Sequence, residues 1–170
     1  MLRSGKAHLT ILGDCPERPR FEALADELQI RSGVTFCGMI SHADVLARLR
    51  EADVLVFPSL REFGGGVVFE ALAKGAVPVV ANHGGPGDIV RDDVGYRIRL
   101  SNESQMAEEI GSVLEHLASD RNHLEALRQY GIAYARKELT WERKAQMMTE
   151  ILLWATGAGP KPTMAPPKLL

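Results

Sequence analysis

Two carboxylates, Glu62 and Glu70, lie eight positions apart in the sequence and flank three consecutive glycines, Gly64, Gly65 and Gly66. An ionised carboxylate only accepts hydrogen bonds, which suits it to the hydroxyl groups of a sugar. Glycine has no Cβ, so the backbone of the glycine segment can approach a ligand closely. The residue types and their spacing therefore predict a loop that holds a sugar nucleotide.

The segments on either side of the glycines would place them at the start of a helix. Residues 54–57 are a short run of apolar residues that stops at a proline, which predicts a buried strand. Residues 67–74 have a helical pattern that ends at Gly75. The first amides of a helix have no acceptor within it, so they can face an anion or a sugar oxygen. Glu62 before the loop and Glu70 in the early helix can then converge on one cleft.

Strand and helix patterns alternate along the first hundred or so residues. The predicted strands are residues 8–12, 34–37, 54–57, 77–81 and 97–100. Such alternation predicts an α/β fold of Rossmann-like type, with a parallel sheet that helices cover on both faces. Ligands of such sheets bind at the carboxyl ends of the strands. The sequence places Gly13, Gly38 and residues 59–66 and 84–88 at these ends.

Helical faces follow from the spacing of the apolar residues. Between the strands they are Phe21, Leu24, Ala25 and Leu28, then Val45, Leu46, Leu49 and Ala52. From Ser104 the pattern is wholly helical, with three faces: Met106, Ile110, Val113, Leu114 and Leu117; Leu124, Leu127, Tyr130 and Ala133; and Met147, Ile151 and Trp154. We predict one domain over residues 1–156 and a disordered tail, rich in proline and glycine, over residues 157–170.

The composition is typical of one globular domain and excludes few classes of function. Of 170 residues, 45% are hydrophobic and 25% are charged, and the formal net charge of -2 gives no indication of a nucleic-acid partner. Two cysteines, Cys15 and Cys37, do not make a disulfide framework, so a cytoplasmic location is the default. No secretory h-region appears at the N-terminus and no run of about 18 or more apolar residues occurs, so we expect no transmembrane segment. No spacing of His, Cys and Asp resembles a metal site.

Several features allow a simpler interpretation. Glu62 could be an exposed loop carboxylate, and Glu70 an acid that only complements the helix dipole. The Gly84-Gly85 turn could be only a tight turn. His42 is interpreted as part of a helix start and His83 as a loop residue. Two rival chemistries are disfavoured because the chain lacks the G-x-G-x-x-G pattern after its first strand and the Lys-Ser/Thr pair of a phosphate-binding P-loop.

The ordered set of motifs resembles the donor-binding half of retaining GT-B glycosyltransferases, also called glycosyl transferase group 1. Its parts are the Glu-x7-Glu spacing of Glu62 and Glu70, the V-x-F-x-G segment at residues 34–38, and the glycine turn at residues 84–88. The resemblance extends over about residues 7 to 155. It implies the C-terminal domain of an enzyme that transfers a sugar from a nucleotide-sugar with retention of configuration. It also implies no cofactor beyond that co-substrate and no strict requirement for a metal.

The resemblance also assigns roles to residues that match its motif. Glu62 would be the catalytic carboxylate and would accept hydrogen bonds from the hydroxyls of the donor sugar. The backbone of the segment Phe63, Gly64, Gly65, Gly66 and Val67 would bind sugar hydroxyls or the diphosphate. Glu70 would bind the ribose hydroxyls. Gly38 and Met39 would lie against the nucleobase.

The chain differs from the family pattern because parts of a complete GT-B enzyme are not found in it. A complete GT-B enzyme has two Rossmann-like domains, and the family's opening strand and helix, with an Arg and a Lys for the diphosphate, would precede residue 8. We therefore expect the isolated chain to turn over slowly or not at all. A non-catalytic sugar-nucleotide-binding module and an inactive truncated remnant are the alternatives. Apolar residues of the last helix, with Trp141, would pack on the missing N-terminal acceptor domain, so we expect self-association or docking to another chain.

Overall fold

The computed structural model describes residues 1–62 and 64–163, which form an α/β fold. The strands are β1 (Leu9–Ile11), β2 (Val34–Phe36), β3 (Val54–Phe57), β4 (Val77–Ala81) and β5 (Tyr96–Ile98). The α-helices are α1 (Arg18–Glu27), α2 (His42–Glu51), α3 (Gly66–Lys74), α4 (Gly84–Ile89), α5 (Glu103–Ser119), α6 (Arg121–Glu138) and α7 (Trp141–Ala155). The predicted order of elements and the fold class are confirmed, with strand ends shifted by one or two residues.

All strand pairs are parallel, but the described residues form two sheets and not the single sheet that was expected. One sheet pairs β1 with β2, and the other has the order β3-β4-β5. In the second sheet Val54 pairs with Val77 and Val56 with Val79. Within the described residues no pairing connects β1 or β2 to β3, so β3 has β4 as its neighbour on one side. As an edge strand, β3 stays half-buried along its whole length, whereas all five residues of β4 are buried.

The main core lies where α3 packs on β4. Val68, Ala71 and Leu72 lie three and four positions apart, so they share one face of α3, and all three are buried. That face contacts Val80 of β4 and residues of α6. Gly75 ends the helix in the left-handed region, at φ 85°, as its position after the helical pattern predicted.

The C-terminal helices begin at side-chain caps. Asn102 Oδ1, Asp120 Oδ1 and Thr140 Oγ1 each accept a hydrogen bond from the backbone amide three positions later, at 2.9–3.2 Å. Each cap satisfies an amide that has no partner within the helix. Thr140 therefore caps the start of α7.

The predicted face of α6 is wrong beyond its second member. Leu124 and Leu127 are buried, but Tyr130 and Ala133 are exposed. Steps of three residues fall about 60° short of a full turn each time, so a 124-127-130-133 pattern rotates away from the core. The buried face instead continues at Gly131, Tyr134, Ala135 and Glu138. A Cβ on Gly131 would lie 3.0 Å from Leu72 Cδ2, so the absence of a side chain there allows α6 close to α3.

Two apolar helix surfaces are left uncovered within the described residues. On and just after α1, Phe21, Leu24 and Leu28 are exposed, and Ala25 alone of that predicted face is buried. In the last helix, α7, no residue is buried, and Trp141 at its start is 87% exposed.

The end of the chain is described as far as residue 163. There the amide of Ala158 donates to the carbonyl of Leu153 at 2.8 Å, and Lys161 Nζ lies 5.6 Å from the centroid of the Trp154 ring. Residues 164–170 of the predicted tail lie outside the described residues. The division into one domain and a disordered tail stays a prediction. No helix in residues 1–62 and 64–163 has the length and apolar character to cross a membrane.

Candidate functional site

The candidate site lies at the carboxyl ends of β3 and β4. Because these strands are parallel and paired, their ends reach the same edge of the sheet. The loop after β3 carries Glu62 and the glycines and leads into α3 at Gly66. The turn after β4 leads into α4 at Gly84. Both loops therefore emerge side by side, as the strand-end rule predicted.

These two loops pack against each other. A Cβ on Gly84 would lie 2.8 Å from the carbonyl oxygen of Glu62, and a Cβ on Gly65 would lie 2.9 Å from Pro86 Cγ. Both glycines have positive φ, 57° at Gly84 and 60° at Gly65. Only glycine satisfies the conformation and the close approach together. Residues 84–86 are thus not a tight turn but the start of α4, which packs against the Glu62 loop.

The side chain of Glu62 folds onto the amides of its own loop. Its Oε1 accepts hydrogen bonds from the amides of Gly64 at 3.0 Å and Gly65 at 3.1 Å. An anionic oxygen therefore already occupies donors that the sequence assigned to a ligand. The structure shows that this loop can present two amides to one oxygen. Phe63, which the sequence analysis also placed here, lies outside the described residues.

The first turn of α3 continues the row of amides. Gly65 precedes the helix in the left-handed conformation, and its carbonyl accepts from the amide of Val68 at 2.8 Å. Helix geometry gives the amides of Gly66 and Val67 no acceptor within α3. Gly66 is exposed and Val67 half-buried. The amide groups at this helix start carry partial positive charge, which favours an anionic group nearby.

Glu70 lies one turn into α3 and contacts a residue that the sequence analysis left out of the site. Its Oε1 is 2.7 Å from Nε2 of His42, the first residue of α2. The predicted place of His42 at a helix start is confirmed, but its contact with Glu70 was not foreseen. The two residues are 28 positions apart, and no local pattern in the sequence indicates that they meet.

The other predicted contact segment follows β2. Gly38 has φ 64°, and its carbonyl accepts from the amide of Gly13 at 2.9 Å, which joins the ends of β1 and β2. Met39, directly after this turn, is 80% exposed. The chain then enters α2 at His42, so the segment of Gly38 and Met39 leads directly to the residue that contacts Glu70.

Among residues 1–62 and 64–163, no group of three or more His, Cys, Asp or Glu side chains is arranged to hold a metal ion. The polar groups identified here are the carboxylates of Glu62 and Glu70, a row of backbone amides and the imidazole of His42. Such groups bind hydroxyls and anionic oxygens by hydrogen bonds.

The sequence profile of the family described as Glycosyl transferases group 1 matches residues 2–134. The chain belongs to this family. An uncharacterized glycosyltransferase of Methanocaldococcus jannaschii is 30% identical over 152 residues, which is 86% of this chain and 37% of that protein. This chain therefore spans well under half the length of that relative.

Solved structures share the fold of this chain. Sucrose-phosphate synthase from Thermosynechococcus elongatus superposes with a TM-score of 0.73 at 25% identity, covering 89% of this chain and 39% of the synthase. Anabaena HepE, solved in complex with UDP-glucose, superposes with a TM-score of 0.69 at 20% identity, covering 85% of this chain and 40% of HepE. The predicted resemblance to one domain of GT-B glycosyltransferases is confirmed by these matches.

Proposed function

We propose that this chain is the donor-binding domain of a retaining glycosyltransferase that transfers a sugar from a nucleotide-sugar. The observation that carries the proposal is the glycine loop between Glu62 and Glu70, packed against the start of α4 at residues 84–86. This arrangement offers hydrogen-bond donors for an anion and acceptors for hydroxyls at one edge of the sheet. A nucleotide-sugar has both kinds of group, namely a diphosphate and two sugars.

The proposed roles follow the chemistry of each group. The backbone of Phe63, Gly64, Gly65, Gly66 and Val67 binds oxygens of the donor sugar or the diphosphate. The carboxylate of Glu62 accepts hydrogen bonds from two of these amides. When the donor binds, its oxygens compete for the same amides, and the Glu62 carboxylate turns to the hydroxyls of the donor sugar.

Glu70, Gly38 and Met39 bind the nucleoside part of the donor in this proposal. Glu70 accepts hydrogen bonds from the ribose hydroxyls. Gly38 and Met39 contact the nucleobase, and the exposure of Met39 leaves its side chain accessible to a base. Glu62 is the proposed catalytic residue because, of the two carboxylates, it is the one that would approach the transferred sugar.

Bond cleavage in such a reaction places negative charge on the departing diphosphate and positive charge on the sugar. Amides at the start of α3 would stabilise the former, and the carboxylate of Glu62 the latter. Neither contribution requires a metal ion. We propose that no cofactor other than the nucleotide-sugar takes part and that the enzyme acts in the cytoplasm.

The rest of the catalytic apparatus is proposed to lie on an acceptor-binding domain outside these 170 residues. Since this chain spans 37% of its M. jannaschii relative, we expect the isolated chain to bind donor but to transfer sugar poorly. Adding the N-terminal half of a group 1 relative, in trans or by fusion, should restore transfer. Robust turnover by the chain alone would contradict this expectation, and a chain that binds donor but gains no turnover would favour a non-catalytic binding module.

Calorimetric titration with UDP, GDP, ADP and their glucose conjugates tests the donor site directly. We expect saturable binding of one nucleotide, with affinity at least tenfold weaker in Glu70→Ala. The matched control is Glu108→Gln, an exposed carboxylate in α5 that should leave binding unchanged. No saturable binding of any of these ligands to the folded chain would refute the proposal and would favour an inactive remnant.

A further inference from the structure

The contact between His42 and Glu70 joins two helices at the proposed nucleoside site. The distance of 2.7 Å from Nε2 to Oε1 is that of a strong, charge-assisted hydrogen bond. An ionised carboxylate can only accept, so Nε2 of His42 must carry the proton. The side chain of Glu70 is 32% exposed, whereas that of His42 is 70% exposed. The pair is therefore open to a ligand, with its carboxylate held by one partner.

The backbone on both sides of this contact is fixed by packing. Leu49 of α2 packs with Ala71 and Ala76 in one buried cluster, so α2 and α3 are locked against each other. Ser41 Oγ accepts from the amide of Asp44 at 3.1 Å, which sets the start of α2 and with it the position of His42. The hydrogen bond to His42 thus restricts the carboxylate of Glu70 to one orientation.

A fixed orientation matters for binding a diol. A carboxylate has two oxygens and about four acceptor positions, so one hydrogen bond from an imidazole leaves room for two hydroxyl donors. An unrestrained glutamate loses rotamer freedom when it binds, which costs affinity. A glutamate that is already oriented avoids part of that loss.

We propose that His42 is a positioning residue of the donor site, which orients the carboxylate of Glu70 toward the two hydroxyls of the ribose. This inference rests on the proposed function of the site. His42 acts through Glu70 and does not touch the reacting atoms.

Binding measurements with paired ligands test this role. The ligands are whichever of UDP, GDP and ADP binds most tightly and its 2′,3′-dideoxy counterpart. We expect His42→Ala to weaken binding of the ribose ligand about three- to tenfold, the effect of losing one typical intramolecular hydrogen bond. His42→Gln, which keeps an N–H donor, should recover most of the affinity. Neither variant should alter binding of the dideoxy ligand.

A double-mutant cycle separates action through Glu70 from direct contact with the ligand. If His42 acts through Glu70, adding His42→Ala to Glu70→Ala causes no further loss. The matched control is His8→Ala, an exposed histidine that bonds to Thr35 Oγ1 at 2.8 Å and should leave affinity unchanged. A further loss in the double variant, or an equal loss with the dideoxy ligand, would overturn the positioning role.

The contact itself can be checked without a ligand by the ¹⁵N spectrum of the His42 ring. We expect the Nε2–H tautomer in the unmodified chain and altered ring shifts in Glu70→Ala. Identical ring shifts in both proteins would overturn the inference. If Glu70→Ala weakens nucleotide binding but His42→Ala does not, only the inference fails. If no nucleotide binds at all, the proposed function fails and the inference fails with it.

Discussion

The two sheets of this protein differ in how far helices and neighbouring strands cover their apolar residues. In the three-stranded sheet all five residues of β4 are buried, and α3 and α6 cover one of its faces. In the two-stranded sheet Leu9 of β1 is exposed, and so are Phe21 and Leu24 of α1. Apolar residues in an α/β pattern therefore do not ensure a covered core. A parallel sheet is buried only where helices and neighbouring strands cover it.

This difference divides the candidate site as well. Glu62, Glu70 and Gly84 belong to loops and helices of the three-stranded sheet. Gly38 and Met39 belong to the end of β2, in the less covered sheet. The hydrogen bond between His42 and Glu70 connects the two parts. We expect the part around α3 to be rigid and the part around β2 to open more readily.

The largest expected effect compares one leucine from each region. Leu72, 1% exposed, packs in the main core, whereas Leu24 of α1 is 47% exposed. Leu72→Ala should lower the free energy of unfolding by about 2–5 kcal/mol because it leaves a cavity. Leu24→Ala should change it by less than about 1 kcal/mol. Urea denaturation of both variants measures the difference, and equal losses would show that α1 is packed as tightly as α3.

Amide hydrogen exchange should show the same division along the backbone. We expect amides of β4 to exchange at least about a hundredfold more slowly than those of β1, since buried core strands open only with most of the structure. Mass spectrometry of peptides that contain residues 77–81 and 9–11 gives both rates in one experiment. Similar protection of the two peptides would show that the two sheets do not differ in local stability.

A smaller effect is expected from alanine at two glycines with the same backbone conformation. Gly84 (φ 57°) would place its Cβ 2.8 Å from a carbonyl oxygen, whereas Gly5 (φ 67°) has no atom within 4 Å of that position. Gly5→Ala should cost about 1–2 kcal/mol of stability for the left-handed conformation alone. Gly84→Ala should cost about 1–3 kcal/mol more, because the backbone must shift.

The Gly84 variant also tests the site, since the shift would move the Glu62 loop. Nucleotide affinity should therefore fall in Gly84→Ala and stay unchanged in Gly5→Ala. Thermal unfolding and calorimetric titration of the pair supply both readouts. Equal stability losses with equal affinity would show that the contact between the two loops has no consequence for binding.

The smallest expected effect concerns the uncovered apolar surface of α7. Met148, Leu152 and Trp154 are exposed there, and uncovered apolar surface favours association. We expect weak self-association in sedimentation velocity at tens of micromolar, reduced by Leu152→Gln. Glu142→Gln, on the same helix, is the matched control. A strictly monomeric profile of the unmodified chain would contradict this prediction.

The sequence by itself determined the order of strands and helices and the position of the glycine loop between β3 and α3. Periodicity, the proline after β3 and the glycine after α3 act within a few residues, so the local sequence suffices to predict β3, β4 and α3. The same holds for Glu62 and Glu70, which a strand-to-helix loop brings to one edge of the sheet. The Thr140 cap was predictable for the same local reason.

Only the tertiary structure decided what depends on distant residues. Three features depend on elements that are distant in the sequence. They are the division into two sheets, the buried face of α6 at Gly131 and Tyr134, and the packing of Gly84 on Glu62. The contact of His42 with Glu70 joins residues 28 positions apart through the packing of two helices. Local patterns carry no signal for such contacts, because burial and side-chain partners are set by the packing of whole elements.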